Sequence, residues 1–332
     1  MKQRGVWSGT LVAVVAACLG AGCTRMHAPE VLALGVKRIE EQRAGTVQRS
    51  EGSFSGTSSG EWARRVRASG EAGVRGICVL LPGILGSYSS PTCENNLRDD
   101  GWHVVVIAPP LVSSVLAELK IDDPRGAEGK GARVAQAVDS VVARVAELAR
   151  DETARLRGED PSLCDKPVIV VGESLGALVG VGVVATGRVP CDAALFVAGG
   201  GSLLDIARES SLRRLLFGDL PIDDADFRRG YAEASALESL AAAARLRDGP
   251  IVCVTAEIDR IVPAESQEAL WRALGEPPRY RFDGGHLELF LFARWNILPV
   301  VREVATKVGK GAAGQPTGAD GLLALDALPS RP

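Results

Sequence analysis

Short runs along the chain are apolar almost without a break: residues 77–81, 103–108, 168–171, 191–198 and 251–256. They are rich in Val, Ile and Leu and are too short for ordinary helices. Strands buried on both faces of a parallel sheet read this way, because neither face meets water. Longer stretches between them bring apolar residues back at helical spacing. In 132–156 the recurring positions are Val134, Val138, Val141, Val145 and Leu148. The run 175–185 is small and apolar, as expected of a helix packed back on the sheet. Helices at 93–99, 267–274 and 296–308 and a last strand at 280–282 complete the alternation. Residues 111–131 are expected to form a loop with charges at its end. Alternating strands and helices predict an α/β fold with a mostly parallel, doubly wound sheet.

The two ends break this alternation. Lys2 and Arg4 precede an uncharged apolar stretch at 6–22, the layout of an export signal. That stretch is at the short limit for crossing a bilayer. The expected division is a signal peptide at 1–22, a linker with peripheral elements at 23–70, one large domain at 71–308 and a disordered tail at 309–332. The tail is rich in Gly, Ala and Pro without a usable period. A helix at 29–41 and a short strand at 62–68 are expected within the linker and its edge. Residues 202–248 interrupt the domain with helical patterns at 203–217 and 224–246, separated by Pro221.

Composition narrows the chemistry. The net charge of −3, with both signs interspersed, argues against a nucleic-acid partner. The cysteines form no C-x-x-C pair, and the loop Gly83-Ile84-Leu85-Gly86 lacks the Lys-Ser/Thr of a phosphate-binding motif. No metal site and no cofactor are expected. Only three histidines occur, so any reaction that needs an imidazole has few candidates. His103 opens a strand at the end opposite to that used by ligands in open α/β sheets, and reads as structural.

One stretch joins a buried strand to a helix through Gly172-Glu173-Ser174-Leu175-Gly176. The glycines suit a turn where strand and helix pass very close, and the serine is expected in a strained conformation at its apex. Gly56-Thr57-Ser58-Ser59-Gly60 repeats the pattern without strand or helix beside it, and reads as a flexible loop. A second buried strand runs into Pro82-Gly83-Ile84-Leu85-Gly86-Ser87. Near the end, Glu257-Ile258-Asp259-Arg260-Ile261-Val262-Pro263 follows a strand, and Asp283-Gly284-Gly285-His286 follows the last one.

These four features, in this order over about 76–308, resemble the α/β-hydrolase family. The resemblance implies an α/β-hydrolase fold with a small helical cap between the family's sixth and seventh strands, here about 202–248. Ordinary helix packing is the alternative for that segment. It implies a nucleophile elbow at Ser174, an acid at Asp259 and a base at His286. Backbone N–H groups of Ile84 and Leu175 would form the oxyanion hole. Asp205 and Glu257 also follow strand ends and remain alternatives for the acid. The implied activity is hydrolysis of a small-molecule or lipid carboxylic ester through an acyl-enzyme. A peptidase or acyltransferase uses the same triad, and a non-catalytic binding lipoprotein of the same fold is the reading from a different class.

Leu19-Gly20-Ala21-Gly22-Cys23 resembles the lipobox of bacterial lipoproteins, with Gly20 where leucine is typical. That resemblance implies lipidation of Cys23, export, and attachment of the protein to a membrane of the cell envelope. Thr24, in place of an inner-membrane retention Asp, points to the outer membrane. An ordinary signal peptide and an uncleaved anchor are the alternatives. Cys164 and Cys191 each precede one of two neighbouring strands, so a disulfide between them is expected. Cys78 and Cys253 lie inside strands and should be buried thiols.

Overall fold

The computed structural model describes residues 63–68, 73–83, 90–211, 221–247, 249–291 and 297–311. The export segment with Cys23, the helix expected at 29–41, the second G-x-S-x-G copy at Ser58, Ile84 and residues 312–332 lie outside the described residues. The strands are β1 (Ala63–Val66), β2 (Gly76–Leu81), β3 (Trp102–Ile107), β4 (Val168–Glu173), β5 (Ala193–Val197), β6 (Ile251–Ala256) and β7 (Arg279–Phe282). They form one sheet in the order β1-β3-β2-β4-β5-β6-β7. β1 runs antiparallel to β3, and every other pair is parallel.

Alternation along the strands feeds two cores. Ile77, Val79, Leu81, Val168 and Val170 face one side, and Cys78, Leu80, Ile169 and Val171 face the other. The first side is covered by α2 (Leu111–Leu119), α3 (Gly126–Glu159), α4 (Leu175–Ala185) and α8 (Ala264–Ala273). The second is covered by α1 (Ser90–Asp99), α9 (His286–Leu291) and α10 (Leu298–Gly311). Both faces of the sheet are therefore dry, which explains the unbroken apolar runs. α4 is buried from Gly176 through Val183, as a helix that is apolar all round must be. Among the described residues no helix is long and apolar enough to cross a membrane.

Three expectations are corrected. Residues 111–119 are helical: Leu111 and Val115 are buried and Leu119 is half-buried, at a spacing of one turn each, and they pack α2 against α3. The long helix starts at Gly126, ahead of the expected 132. Its first turns hold Gly126, Gly129 and Gly131, which weaken the helical signal in sequence. A side chain at Gly131 would meet the carbonyl oxygen of Phe227 at 2.0 Å. The glycine is there to let another helix in. Finally, Cys164 and Cys191 are free thiols. Cys164 is exposed in the turn before β4, while the Cys191 thiol turns back toward the Ala193 carbonyl at 3.2 Å. Cys78 and Cys253 are buried thiols, as expected.

The insertion between β5 and β6 holds α5 (Leu203–Glu209), α6 (Ala225–Ala234) and α7 (Ser239–Ala243). α6 packs along α3, and α7 packs on α4 and α8. The described helices of this insertion thus thicken the helical layer. Gly230 closes on the Glu128 carbonyl, where a Cβ would stand 2.0 Å away. Asp139 of α3 accepts hydrogen bonds from the Ala236 and Leu237 amides at 2.8 and 2.9 Å.

Candidate active site

Topology sets the site first. The chain passes from β2 outward to β3, then returns to β4 on the other side of β2. The connections diverge there and leave a crevice beyond the carboxyl ends of β2 and β4, where ligands bind in open α/β sheets. Ser174 follows β4, and Pro82-Gly83 follow β2.

Ser174 has φ 54° and ψ −117°, a conformation that L-residues seldom adopt. Such strain costs on the order of 1–3 kcal/mol and persists only when the surroundings over-determine it. Here the Ser174 amide donates to the Val197 carbonyl at 2.8 Å, and its own carbonyl accepts from Ala177 at 2.9 Å. The flanking glycines make the turn sterically possible. A Cβ on Gly172 would lie 2.6 Å from the Ala177 Cα, and one on Gly176 would lie 1.9 Å from the Leu81 carbonyl oxygen. One on Gly83 would lie 2.9 Å from the Ser174 Cβ, so the chain leaving β2 passes directly against the serine. Leu175 opens α4; its N–H has no partner within the helix and sits at the positive end of the helix dipole. Ile84, the other expected oxyanion donor, is outside the described residues. Glu173 is wholly buried, and the Cys78 thiol near it is pushed up by burial and then by the Glu173 charge.

The second half of the site is built by β6 and β7. Backbone pairing continues past the strand ends, with Glu257 N–H donating to the Phe282 carbonyl at 2.9 Å and Ile258 N–H to Gly284 at 3.1 Å. These bonds carry the Asp259 loop alongside the loop that ends at His286. Asp259 is buried, at 5% exposure. Its Oδ1 accepts the Ile261 and Val262 amides at 2.8 and 2.9 Å. Its Oδ2 accepts from Gln267 Nε2 at 3.1 Å and lies 2.6 Å from His286 Nδ1. His286 Nε2 lies 2.9 Å from Ser174 Oγ. A carboxylate only accepts, so Nδ1 carries the imidazole proton and Nε2 is left to accept the serine hydroxyl. Phe290, one turn further along α9, packs on the imidazole with ring centroids 4.8 Å apart.

The structure therefore brings Ser174, His286 and Asp259 into one hydrogen-bonded chain, from three separate strand ends. The two other carboxylates go elsewhere. Asp205 sits in the first turn of α5, paired with Arg208 at 3.1 Å, and Glu257 is exposed, facing Arg281 at 3.8 Å. His103 is buried near the amino end of β3, the end of the strands opposite to Ser174, and burial lowers its pKa. Among the described residues no group of three or more His, Cys, Asp or Glu side chains could hold a metal ion. Gln267 and Phe290 were not anticipated from the sequence. Neither belongs to a motif, and a polar residue in an amphipathic helix gives no sign that it faces inward.

No family model matches the sequence. No curated protein matches it either. Solved structures do. An acylaminoacyl peptidase from Pyrococcus horikoshii aligns at 12% identity with a TM-score of 0.53, over 79% of this chain and 41% of the peptidase. The uncomplexed form of that enzyme gives 0.50 over the same shares. An alpha/beta hydrolase enzyme from the metagenome of sediments from the lagoon of Mar Chica aligns at 18% identity with a TM-score of 0.42, over 73% of this chain and 93% of its own. The chain thus spans about two-fifths of the peptidase's length, and at such identities the likeness speaks for the fold alone. With β1 antiparallel at the edge, six parallel strands wound on both sides of β2, and a strained serine after β4, the chain has the α/β-hydrolase fold.

Proposed function

We propose that the protein is a serine hydrolase that cleaves a carboxylic ester through Ser174, His286 and Asp259. One observation carries this reading: a continuous line from a buried carboxylate through an imidazole to a strained serine, at 2.6 and 2.9 Å. A serine hydroxyl is a poor nucleophile near neutral pH, and a positioned base within hydrogen-bond reach remedies that. Ser174 Oγ attacks the carbonyl carbon while Nε2 takes its proton. The tetrahedral oxyanion accepts the N–H of Leu175, held at the start of α4 before the charge develops, and, as the family resemblance implies, that of Ile84. The carbon–oxygen bond then breaks, Nε2 returns the proton to the leaving alcohol, and the acyl group stays on Oγ. Water, deprotonated by the same nitrogen, attacks the acyl carbon; the bond to Oγ breaks, the acid leaves and Nε2 returns the proton to Ser174. Asp259 holds the imidazole in the required tautomer and stabilises its cation.

The test is a chromogenic ester panel of rising acyl length beside an aminoacyl-amide panel, with a fluorophosphonate probe. Ser174 is expected to label and an ester to turn over, and Ser174→Ala and His286→Ala to lose both. Absence of labelling in the wild type sinks the reading in favour of a binding protein. Turnover of amides alone moves the activity to the peptidase class. The protein further reads as an envelope lipoprotein, exported and held at the outer membrane through Cys23. A lipid chain contributes about 0.8 kcal/mol per buried CH₂, so diacylation with an amide-linked chain anchors firmly. Palmitate labelling that is equal in wild type and Cys23→Ala rules the anchor out.

A further inference from the structure

Gln267 lies in the first turn of α8 and is 2% exposed. Its side chain spans the base of the loop that carries Asp259. Oε1 accepts the Ala256 amide at 3.0 Å, while Nε2 donates to the Val262 carbonyl at 2.8 Å and to Asp259 Oδ2 at 3.1 Å, with the Ala256 carbonyl at 3.4 Å. The orientation of this amide is fixed by its partners. The Ala256 N–H is a donor, so an oxygen must face it, and the remaining neighbours are all acceptors, so the nitrogen must face them. The atom presented to Oδ2 is therefore an N–H.

We infer that Gln267 is a positioning residue for the proposed triad, aiming Asp259 Oδ2 at His286 through a direct hydrogen bond. The inference rests on the serine-hydrolase reading. Oδ1 is pinned by two backbone amides, but among the described residues Oδ2 has only His286 and Gln267. Without Gln267 the oxygen that orients the imidazole would itself be held only by the imidazole. Gln267 fixes it independently, from a helix. The chemistry of the donor fits this task. An Arg or Lys at that place would pair with the carboxylate and compete with the imidazolium for its charge. A neutral amide holds the oxygen and leaves the charge for His286. An asparagine is one methylene shorter and would not span Ala256, Val262 and Oδ2 together.

Two variants separate positioning from simple loop bracing. Gln267→Met keeps the length and volume and removes the donor. Its kcat on the ester turned over is expected to fall roughly 10- to 100-fold with KM nearly unchanged, the cost of a small misplacement in a catalytic array. The downfield proton resonance of the Asp259–His286 hydrogen bond should shift or broaden. Gln267→Glu keeps the polarity and size but cannot donate while ionised. The carboxylate of Asp259 beside it favours the protonated form, which regains an O–H for Oδ2. Its kcat/KM relative to wild type is therefore expected to rise as pH falls. An unchanged kcat and an unchanged resonance in folded Gln267→Met overturn the inference, as does an activity loss that merely tracks the fraction unfolded. If Gln267→Met does not fold, a pH-independent ratio for Gln267→Glu overturns it. A wild type that neither labels nor turns over sinks the hydrolase reading instead, and the resonance still reports whether Gln267 holds the Asp259–His286 pair.

Discussion

The corner between β4 and α4 and the corner between β6 and α8 stand two strands apart in the sheet, and each presents one side chain to His286. At the first, almost nothing but backbone is involved. Gly172 and Gly176 let strand, helix and β2 close to distances that a Cβ would forbid, and Ser174 takes a positive φ. At the second, side chains carry the load. Asp259 folds its own loop by accepting two amides, and Gln267 ties Ala256 to Val262 across the base. On the proposed function a nucleophile must stand clear of the strand end, which suits a corner made of missing side chains and stored strain. An orienting carboxylate must be dry and immobile, which suits a corner made of satisfied polar groups. The two corners should fail differently when altered.

Asp259→Asn is expected to have the largest effect, lowering kcat by about 10⁴ as the histidine loses its orienting charge and tautomer. The fold should survive, since asparagine keeps one oxygen for the Ile261 and Val262 amides. Steady-state kinetics beside a thermal melt check this. Gly176→Ala is expected to do the reverse. A methyl 1.9 Å from the Leu81 carbonyl oxygen has only backbone to push against. The cost is expected to exceed about 3 kcal/mol in urea unfolding, beyond the usual range for overpacking. A stability change under about 1 kcal/mol would mean that the elbow yields, and the contrast between the corners would fail.

Between the two corners β5 leads into Gly199, Gly200 and Gly201, and a third arrangement appears. Glu238 is 6% exposed, and its Oε1 accepts the Leu203 amide at 2.5 Å and the Tyr231 hydroxyl at 3.1 Å. Burial pushes its carboxyl up from 4.5 to about 7, with Asp205 adding to the rise, while the bonds from Leu203, Tyr231 and Ser202 oppose it. Burial also raises the Tyr231 phenol, which stays protonated and donating. The folded protein thus keeps a proton that the unfolded chain gives up. That contribution is full below about pH 4.5 and is lost as pH rises through about 7. Stability is expected to fall across this window by at most about 3 kcal/mol. Glu238→Gln should flatten the fall, so that the variant gains on the wild type between pH 5 and 8. Melting curves that stay parallel over that range would assign the pH dependence to other groups.

What the sequence made legible follows the same division. Strands buried on both faces write themselves as Val-Ile-Val-Val, and β6 runs from Ile251 to Ala256 as expected. The elbow is legible because strand, turn and helix follow one another within a few residues, and Gly172 answers to Ala177 close by, although Gly176 answers to Leu81 of β2. His286 is legible through scarcity and its place after the last strand. The start of α3 is obscured because Gly131 answers to Phe227, almost a hundred residues away, and nothing local explains it. α2 is masked by Ser113, Ser114 and the preceding Pro109-Pro110. Gln267 is invisible for a deeper reason. Its partners are three backbone groups and a carboxylate brought together by the loop, and a glutamine in an exposed helix would be written identically.

The smallest expected effects belong to Asp205 and Glu257, the two carboxylates after strand ends that pair with arginines. Asp205 lies after β5, a position from which an acid can reach the base, and Glu257 directly follows β6. Both have other engagements. The Asp205 side chain is 41% exposed and pairs with Arg208 within one helical turn; Glu257 is 49% exposed opposite Arg281. Exposed pairs of this kind contribute about 0–1 kcal/mol, because water competes for both charges. Asp205→Asn and Glu257→Gln are therefore expected to lower kcat/KM less than about tenfold, under roughly 1.4 kcal/mol of barrier. Asp205 has one further link: its charge helps to raise the Glu238 carboxyl. Removing it should move the upper end of the Glu238 window slightly downward in pH, beside that small effect on ester turnover. If Asp205→Asn loses activity while Asp259→Asn retains most of it, the acid is delivered from the fifth described strand. The β6–α8 corner would then be a brace and nothing more.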